Sequence, residues 1–162
     1  MRRTDFSRMR CPVASAMAVL GERWTMLILR EAFAGTSRFE AFARNLGIAP
    51  NILSARLAEM VEHGLLDRVP EGGRHAYTLT ERGRAAFPLY LAVRDWGAAW
   101  LSGPEGPPTL MVERETGTPV AAPTPRRSDG APLSPDDVRI LPGPGANDAV
   151  RRRFGDEGSD DA

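Results

Sequence analysis

The sequence predicts a mostly α-helical domain with one small β-hairpin, followed by a short β-containing C-terminal extension. Three observations point there. Apolar residues recur at helical spacing in four consecutive segments between residues 12 and 63. Two β-prone runs, LLDRVP and HAYTLT, then flank a Gly-Gly turn at residues 72–73. After Ser102 the composition shifts to Gly, Pro and mixed charge, with only short apolar runs.

Each element has its own warrant. Residues 1–10, MRRTDFSRMR, are polar and basic and read as a flexible arm. A first helix is expected after Cys11, with Pro12 at the first helical position, where a missing N–H is harmless, and Gly21 as its stop. The second covers ERWTMLILREAFA. Trp24, Leu27, Ile28 and Glu31 follow i, i+3, i+4, i+7 spacing, apolar until Glu31, and Gly35 ends the run. The third runs from Arg38 to Leu46 with Phe39, Phe42 and Leu46 inward, closed by Gly47. The fourth starts at Pro50 and reaches about His63, with Leu53, Leu57, Met60 and Val61 inward and Gly64 just past its end. After the hairpin, Thr80 is an N-cap for a long last helix from Glu81 to about Leu101. Gly83 should weaken its first turn and Pro88 should kink it. Beyond Pro88 the apolar residues spread over more than one stripe, so this helix needs a second partner besides its own domain, most simply an identical subunit.

The resulting organisation is a domain over residues 11–102, a linker at 103–109, a small extension at 110–142 and a disordered tail at 143–162. Within the extension, TLMVERETG and VRIL read as short strands. Formal net charge is zero, but residues 1–103 carry 14 Arg against 10 acidic side chains, while 104–162 carry 7 against 11. A basic front and an acidic rear fit a polyanion-binding domain followed by a non-binding tail. Lys is absent, so every phosphate contact falls to a forked guanidinium. One Cys excludes an internal disulfide framework and a Cys-rich zinc site. Arg2 and Arg3 are not followed by the apolar core of a secretory signal, and no apolar run approaches the roughly 18 residues of a membrane span. The expectation is a soluble, cytoplasmic protein with no membrane partner.

Helix, short helix, tight turn, helix, hairpin is the order of a winged helix-turn-helix. A helix fits the major groove of B-DNA with its N-terminal residues near base edges, and its free N–H groups favour phosphate. Opposite its apolar side, the fourth helix carries Asn51, Ala55, Ala58 and Glu62, with Ser54 and Glu59 at the borders. Small residues there permit close approach to a duplex. Asn51 and Ser54 are base-edge candidates, although Asn51 could be an ordinary first-turn polar residue. Arg38, Arg44 and Arg56 are phosphate or base candidates, with a salt bridge from Arg56 to Glu59 or Glu40 as the alternative. On the wing, Arg68, Arg74 and His75 could face phosphates, Arg74 foremost, or be merely solvated.

In order and spacing, CPVASAMAVLGERWTMLILRE, GTSRFEAFARNLGIAPNILSARLAEMVEHGLLDR, YTLTERG and FPLYLAVRDWG resemble the HxlR-type winged helix-turn-helix regulators of bacteria. The resemblance spans about residues 11–100. It implies a homodimer joined by the first and last helices, a recognition helix at about 49–63 and a wing at about 66–79. It also implies double-stranded, near-palindromic operator DNA as partner and repression as the default output. In such a dimer the two recognition helices should lie about one helical turn, roughly 34 Å, apart. Val13, Met17, Leu89, Val93, Trp96 and Trp100 are then the expected dimer interface. Ala49 stands where the family often has a capping Ser or Thr, a loss of roughly 1 kcal/mol at the start of the recognition helix.

Cys11 precedes Pro12 at a helix N-terminus beside Arg10, a setting that favours thiolate. By resemblance it is a candidate redox or electrophile sensor, and otherwise a small interface residue. Paired cysteines found in the extension of some relatives are replaced here by Thr116, Arg126 and Asp129, so no metal and no cofactor are expected. An enzyme is disfavoured because His63 and His75 have no triad or metal spacing and no Walker or Rossmann fingerprint occurs. Two other readings stay open. One is a winged-helix module that binds protein and not DNA. The other is a small-molecule effector site lined by Phe87, Tyr90, Trp96 and Trp100, for which aromatic core is the commoner explanation.

Overall fold

The computed structural model of the chain describes residues 9–155. The basic arm expected at 1–10 therefore lies almost wholly outside the described residues, as does the end of the expected tail at 156–162. The helices are α1 (Pro12–Leu20), α2 (Thr25–Phe33), α3 (Phe39–Leu46), α4 (Pro50–Glu62), α5 (Glu81–Ala85), α6 (Phe87–Leu101) and α7 (Asp148–Phe154). The strands β1 (Leu66–Glu71) and β2 (Arg74–Leu79) form an antiparallel hairpin between α4 and α5. The chain is mostly helical with one hairpin wing, in the order read from the sequence.

The residues up to Pro123 form one compact unit and those from Thr124 a second. In the first, the core gathers Ile28 and Leu29 of α2, Phe42 of α3, Leu53, Leu57 and Met60 of α4, and Leu65 and Leu66 at the start of the wing. Phe42, Ile28, Leu29, Leu53, Leu57 and Leu66 are fully buried. Each contributes about 1.5–3 kcal/mol by leaving water, more than any single cap or exposed ion pair. Helical spacing therefore decides how α2, α3 and α4 face one another.

The wing is anchored at its root. Its register runs from Leu66 opposite Leu79 to Glu71 opposite Arg74. The loop before α3 adds to its free edge: Tyr77 N–H donates to the Ser37 carbonyl at 2.8 Å, and Arg38 bridges Ala76. At its other end Thr80 caps α5, accepting from Gly83 N–H at 2.9 Å and donating to the Gly64 carbonyl at 2.6 Å. Gly83 reads in the sequence as a weak spot, and the structure gives it a packing reason. A Cβ there would sit 2.1 Å from the Leu65 backbone oxygen. Only glycine lets α5 lie this close to the strand entrance.

Four expectations differ. The last helix does not run unbroken from Glu81 with a kink at Pro88; it splits at Ala86, and Pro88 occupies the first turn of α6, where proline is tolerated. The strands expected in the extension reduce to isolated bridges, Val112 with Pro119 and Arg126 with Pro132, and VRIL forms none. Frequent Pro and Gly remove ladder donors and stiffness there. Instead of ending near residue 102, the first unit includes the strand-poor segment up to Pro123. Arg94 Nη2 donates to the Val120 carbonyl at 2.8 Å, and Asp95 accepts from Ala122 N–H at 2.6 Å. That amide, with Arg94 beside it, holds the Asp95 carboxyl below its ordinary range despite partial burial. In the second unit, Ser134 and Asp137 close a capping box on a short 3-10 turn. Residues 148–154, expected within a disordered tail, form α7, capped by Asn147.

Candidate nucleic-acid interface

Gly47 ends α3 in the left-handed conformation, φ +60°, which turns the chain sharply enough to start α4 three residues later. Ala49 occupies the N-cap of α4 with extended backbone and no side-chain bond to the helix. The amides of Asn51 and Ile52 are thus left without an intrahelical acceptor or a capping oxygen. The buried side of α4 is Leu53, Leu57 and Met60; Asn51, Ser54, Ala55, Ala58 and Glu62 are exposed. The exposed side is small and polar, with an uncapped N-terminus that favours anions.

The wing lies next to it. Phe39, Glu40, Ser54, Arg68, Arg74, His75 and Tyr77 line one open groove. Arg68 Nη2 is 3.0 Å from His75 Nδ1, and Arg74 Nη1 is 3.5 Å from Glu40 Oε1. Arg44 is exposed near the end of α3 and, among the described residues, has no ion-pair partner. The fold therefore joins Ser54 with Arg68, Arg74 and His75 in one groove, and places Arg44, Asn51 and Ala55 on exposed surface of α3 and α4.

Two predicted cations are engaged elsewhere. Arg38 lies 2.5 Å from Glu71 Oε2, and its Nη1 donates to the Glu71 carbonyl at 3.2 Å, so it braces the wing tip. Arg56 is mostly buried, with 16% of its side chain exposed; it pairs with Glu59 at 2.5 Å and approaches Glu22 at 4.0 Å. Its charge ties α4 to the corner before α2. The Glu59 alternative read from the sequence is the arrangement found, and the Glu40 one is not.

A positioning group escaped the sequence reading. Glu31 of α2 accepts from Asn45 Nδ2 at 2.8 Å and Thr36 Oγ1 at 3.3 Å, with Arg30 on its other oxygen at 2.9 Å. It thereby links α2, the following loop and the last turn of α3. Burial alone would raise its pKa, but the hydrogen bonds from Asn45 and Arg30 outweigh it and hold the carboxyl below its ordinary range. The signal was present: Glu31 interrupts an otherwise apolar stripe.

Away from this surface, Val13 and Met17 of α1 and Leu89, Val93, Trp96 and Trp100 of α6 are all exposed, Trp100 by 74%. Phe87 and Tyr90 turn the other way and pack with Phe33 at centroid distances of 5.1 and 5.4 Å. Within the single chain the four aromatic residues thus part into a core pair and a surface pair. Cys11 is the half-buried N-cap of α1 and is a free thiol. Among the described residues, no helix is long and apolar enough to cross a membrane, and no group of three His, Cys, Asp or Glu could hold a metal ion.

The chain matches the family model described as HxlR-like helix-turn-helix over residues 19–105. An HTH-type transcriptional regulator of Mycobacterium tuberculosis is 43% identical over 136 residues, covering 82% of this chain and 86% of its own. The crystal structure of PA1607, a candidate transcription factor, superposes with a TM-score of 0.80 at 44% identity, covering 85% of this chain and 98% of that one. Quinone-bound YodB from Bacillus subtilis superposes at a TM-score of 0.50 and 29% identity, covering 56% of this chain and 99% of that one. With a hairpin wing beside an exposed, small-faced helix and a family match over more than half its length, the chain belongs to the HxlR-like helix-turn-helix family of DNA-binding transcriptional regulators.

Proposed function

We propose that this protein is a cytoplasmic, homodimeric repressor that binds near-palindromic operator DNA with α4 in the major groove and the wing on flanking phosphates. The observation that carries this reading is the outward small polar side of α4 next to the basic wing groove. In it, Asn51 and Ser54 read base edges, Ala55 and Ala58 allow close approach, and the bare α4 amides take a phosphate oxygen. Arg44, Arg68, Arg74 and His75 supply backbone contacts. The exposed side chains of α1 and α6 support pairing with a second copy, since six large apolar side chains on one chain favour a partner. Two-fold symmetry then sets two α4 helices roughly 34 Å apart and makes the operator palindromic. Repression as the output rests on the family.

Selection of genomic fragments by the purified protein, followed by anisotropy against salt, tests this. The expected result is an inverted repeat with half-sites one turn apart and a steep loss of affinity with salt. Absence of any enriched repeat, or binding indifferent to salt, overturns it. Modulation through Cys11 is part of the proposal, supported by its place at the α1 N-terminus and by the quinone bound to YodB. Diamide or a quinone should alter the mobility shift of the wild type and not that of Cys11→Ser; equal responses end that part.

A further inference from the structure

The groove between α4 and the wing holds a carboxylate among its cations. Glu40, in the first turn of α3, lines it beside Ser54, Arg68, Arg74 and His75. Its Oε1 lies 3.5 Å from Nη1 of Arg74, beyond ordinary hydrogen-bond length, and the two side chains are 63% and 73% exposed. The neighbouring Arg38–Glu71 pair is different: it is closed to 2.5 Å and reinforced by a bond to the Glu71 carbonyl. Glu71 and Arg74 face each other across the wing turn, so the two pairs sit side by side at the wing tip. One is a brace; the other is loose.

A carboxylate beside Arg74 has two opposite effects on phosphate binding. It can orient the guanidinium, or it can compete with the phosphate. Orientation is weak here, because exposed pairs shift equilibria by factors of only about 1.5 to 5 even with good geometry. Competition has two parts that add. Arg74 must leave Glu40 to meet a phosphate, and the freed carboxylate then stands beside a polyanion. Competition wins.

We infer that Glu40 is a counter-charge to Arg74, one that competes with phosphate for the wing-tip guanidinium and thereby lowers the protein's overall affinity for duplex DNA. The exchange breaks the Arg74–Glu40 ion pair, forms an Arg74–phosphate pair and returns Glu40 to water. Because phosphates are the same in every sequence, Glu40 lowers affinity for all duplexes alike. The inference rests on the DNA reading above.

The test is a double-mutant cycle of Glu40→Gln and Arg74→Ala, read by anisotropy on a labelled mixed-sequence duplex and on the duplex enriched by selection. Glu40→Gln should bind both duplexes roughly 3- to 10-fold tighter at low salt, steepen the salt slope by up to about one, and leave their affinity ratio unchanged. In the Arg74→Ala background the gain should fall at least about twofold, to the part that comes from repulsion between the Glu40 carboxylate and the duplex alone. Both side chains are exposed, so thermal midpoints should match the wild type. Unchanged or weaker binding by Glu40→Gln overturns the inference. So does an equal gain without Arg74, which would leave no part of the effect to the Arg74 pair. A changed affinity ratio overturns it as well, by making Glu40 a base contact. If the wild type itself shows no salt-dependent duplex binding, the DNA reading falls and this inference with it; if the wild type binds and Glu40→Gln gains nothing, only this inference falls.

Discussion

In the proposed homodimer, replacing Trp96 by Ala should weaken pairing. Trp96 is 59% exposed in a single chain. An indole side chain can bury about 150–250 Å², so roughly 90–150 Å² remains for a partner. At about 25 cal/mol per Å² that area is worth about 2–4 kcal/mol in each protomer, and a two-fold interface counts it twice. Covering only half of it leaves about 2–4 kcal/mol per dimer, so the dimer constant of Trp96→Ala should weaken by about 30- to 1000-fold. Sedimentation equilibrium over a concentration series measures this. The loss should be insensitive to salt, because no charge is removed. Val69→Ala, which trims an exposed apolar side chain on the wing, should leave the constant unchanged. A wild type that stays monomeric at micromolar concentration, or a Trp96→Ala constant within threefold of it, would refute the reasoning.

Gly83→Ala should destabilise the fold, against the usual benefit of Ala in a helix. The new Cβ meets backbone at the Leu65 oxygen, so either α5 or the strand entrance must move, at about 1–3 kcal/mol, visible in urea melts. Glu31 should contribute to acid sensitivity. Its folded carboxyl is held low, so its stabilisation is present above the ordinary carboxylate range and is lost as pH falls through the folded value. Urea midpoints of wild type and Glu31→Gln should therefore converge as pH drops from about 7 to about 3; a constant gap contradicts the assignment. Asn51→Ala should relax preference at one base pair by about 1–3 kcal/mol while keeping the salt slope, measurable by competition with single-base variants of the selected site.

The helix-turn-helix and its wing were legible because their signals are local. Leu53, Leu57 and Met60 recur on one side of a single helix, Gly47 marks a turn within a few residues, and Gly72–Gly73 separates two short β-prone runs. What escaped depends on partners far apart in the chain. For Arg56 the local Glu59 pair is legible at i, i+3 spacing, and only the approach of Glu22, before α2, is invisible to it. Arg38 looked available because its partner Glu71 arrives only once the hairpin folds back. Gly83 read as a weakness since nothing local reveals the Leu65 carbonyl above it. Helix α7 is a different failure. Asn147, an acidic first turn and a basic last turn signal it locally, but mixed charge drew the segment into the tail.

The exposed apolar side chains of α1 and α6 have a regulatory consequence if only a second copy covers them. Promoter occupancy would then follow the square of chain abundance wherever unpaired chains predominate, by mass action. A twofold fall in supply would cost about fourfold in the active species, giving a sharper threshold than a monomeric regulator of equal affinity could provide.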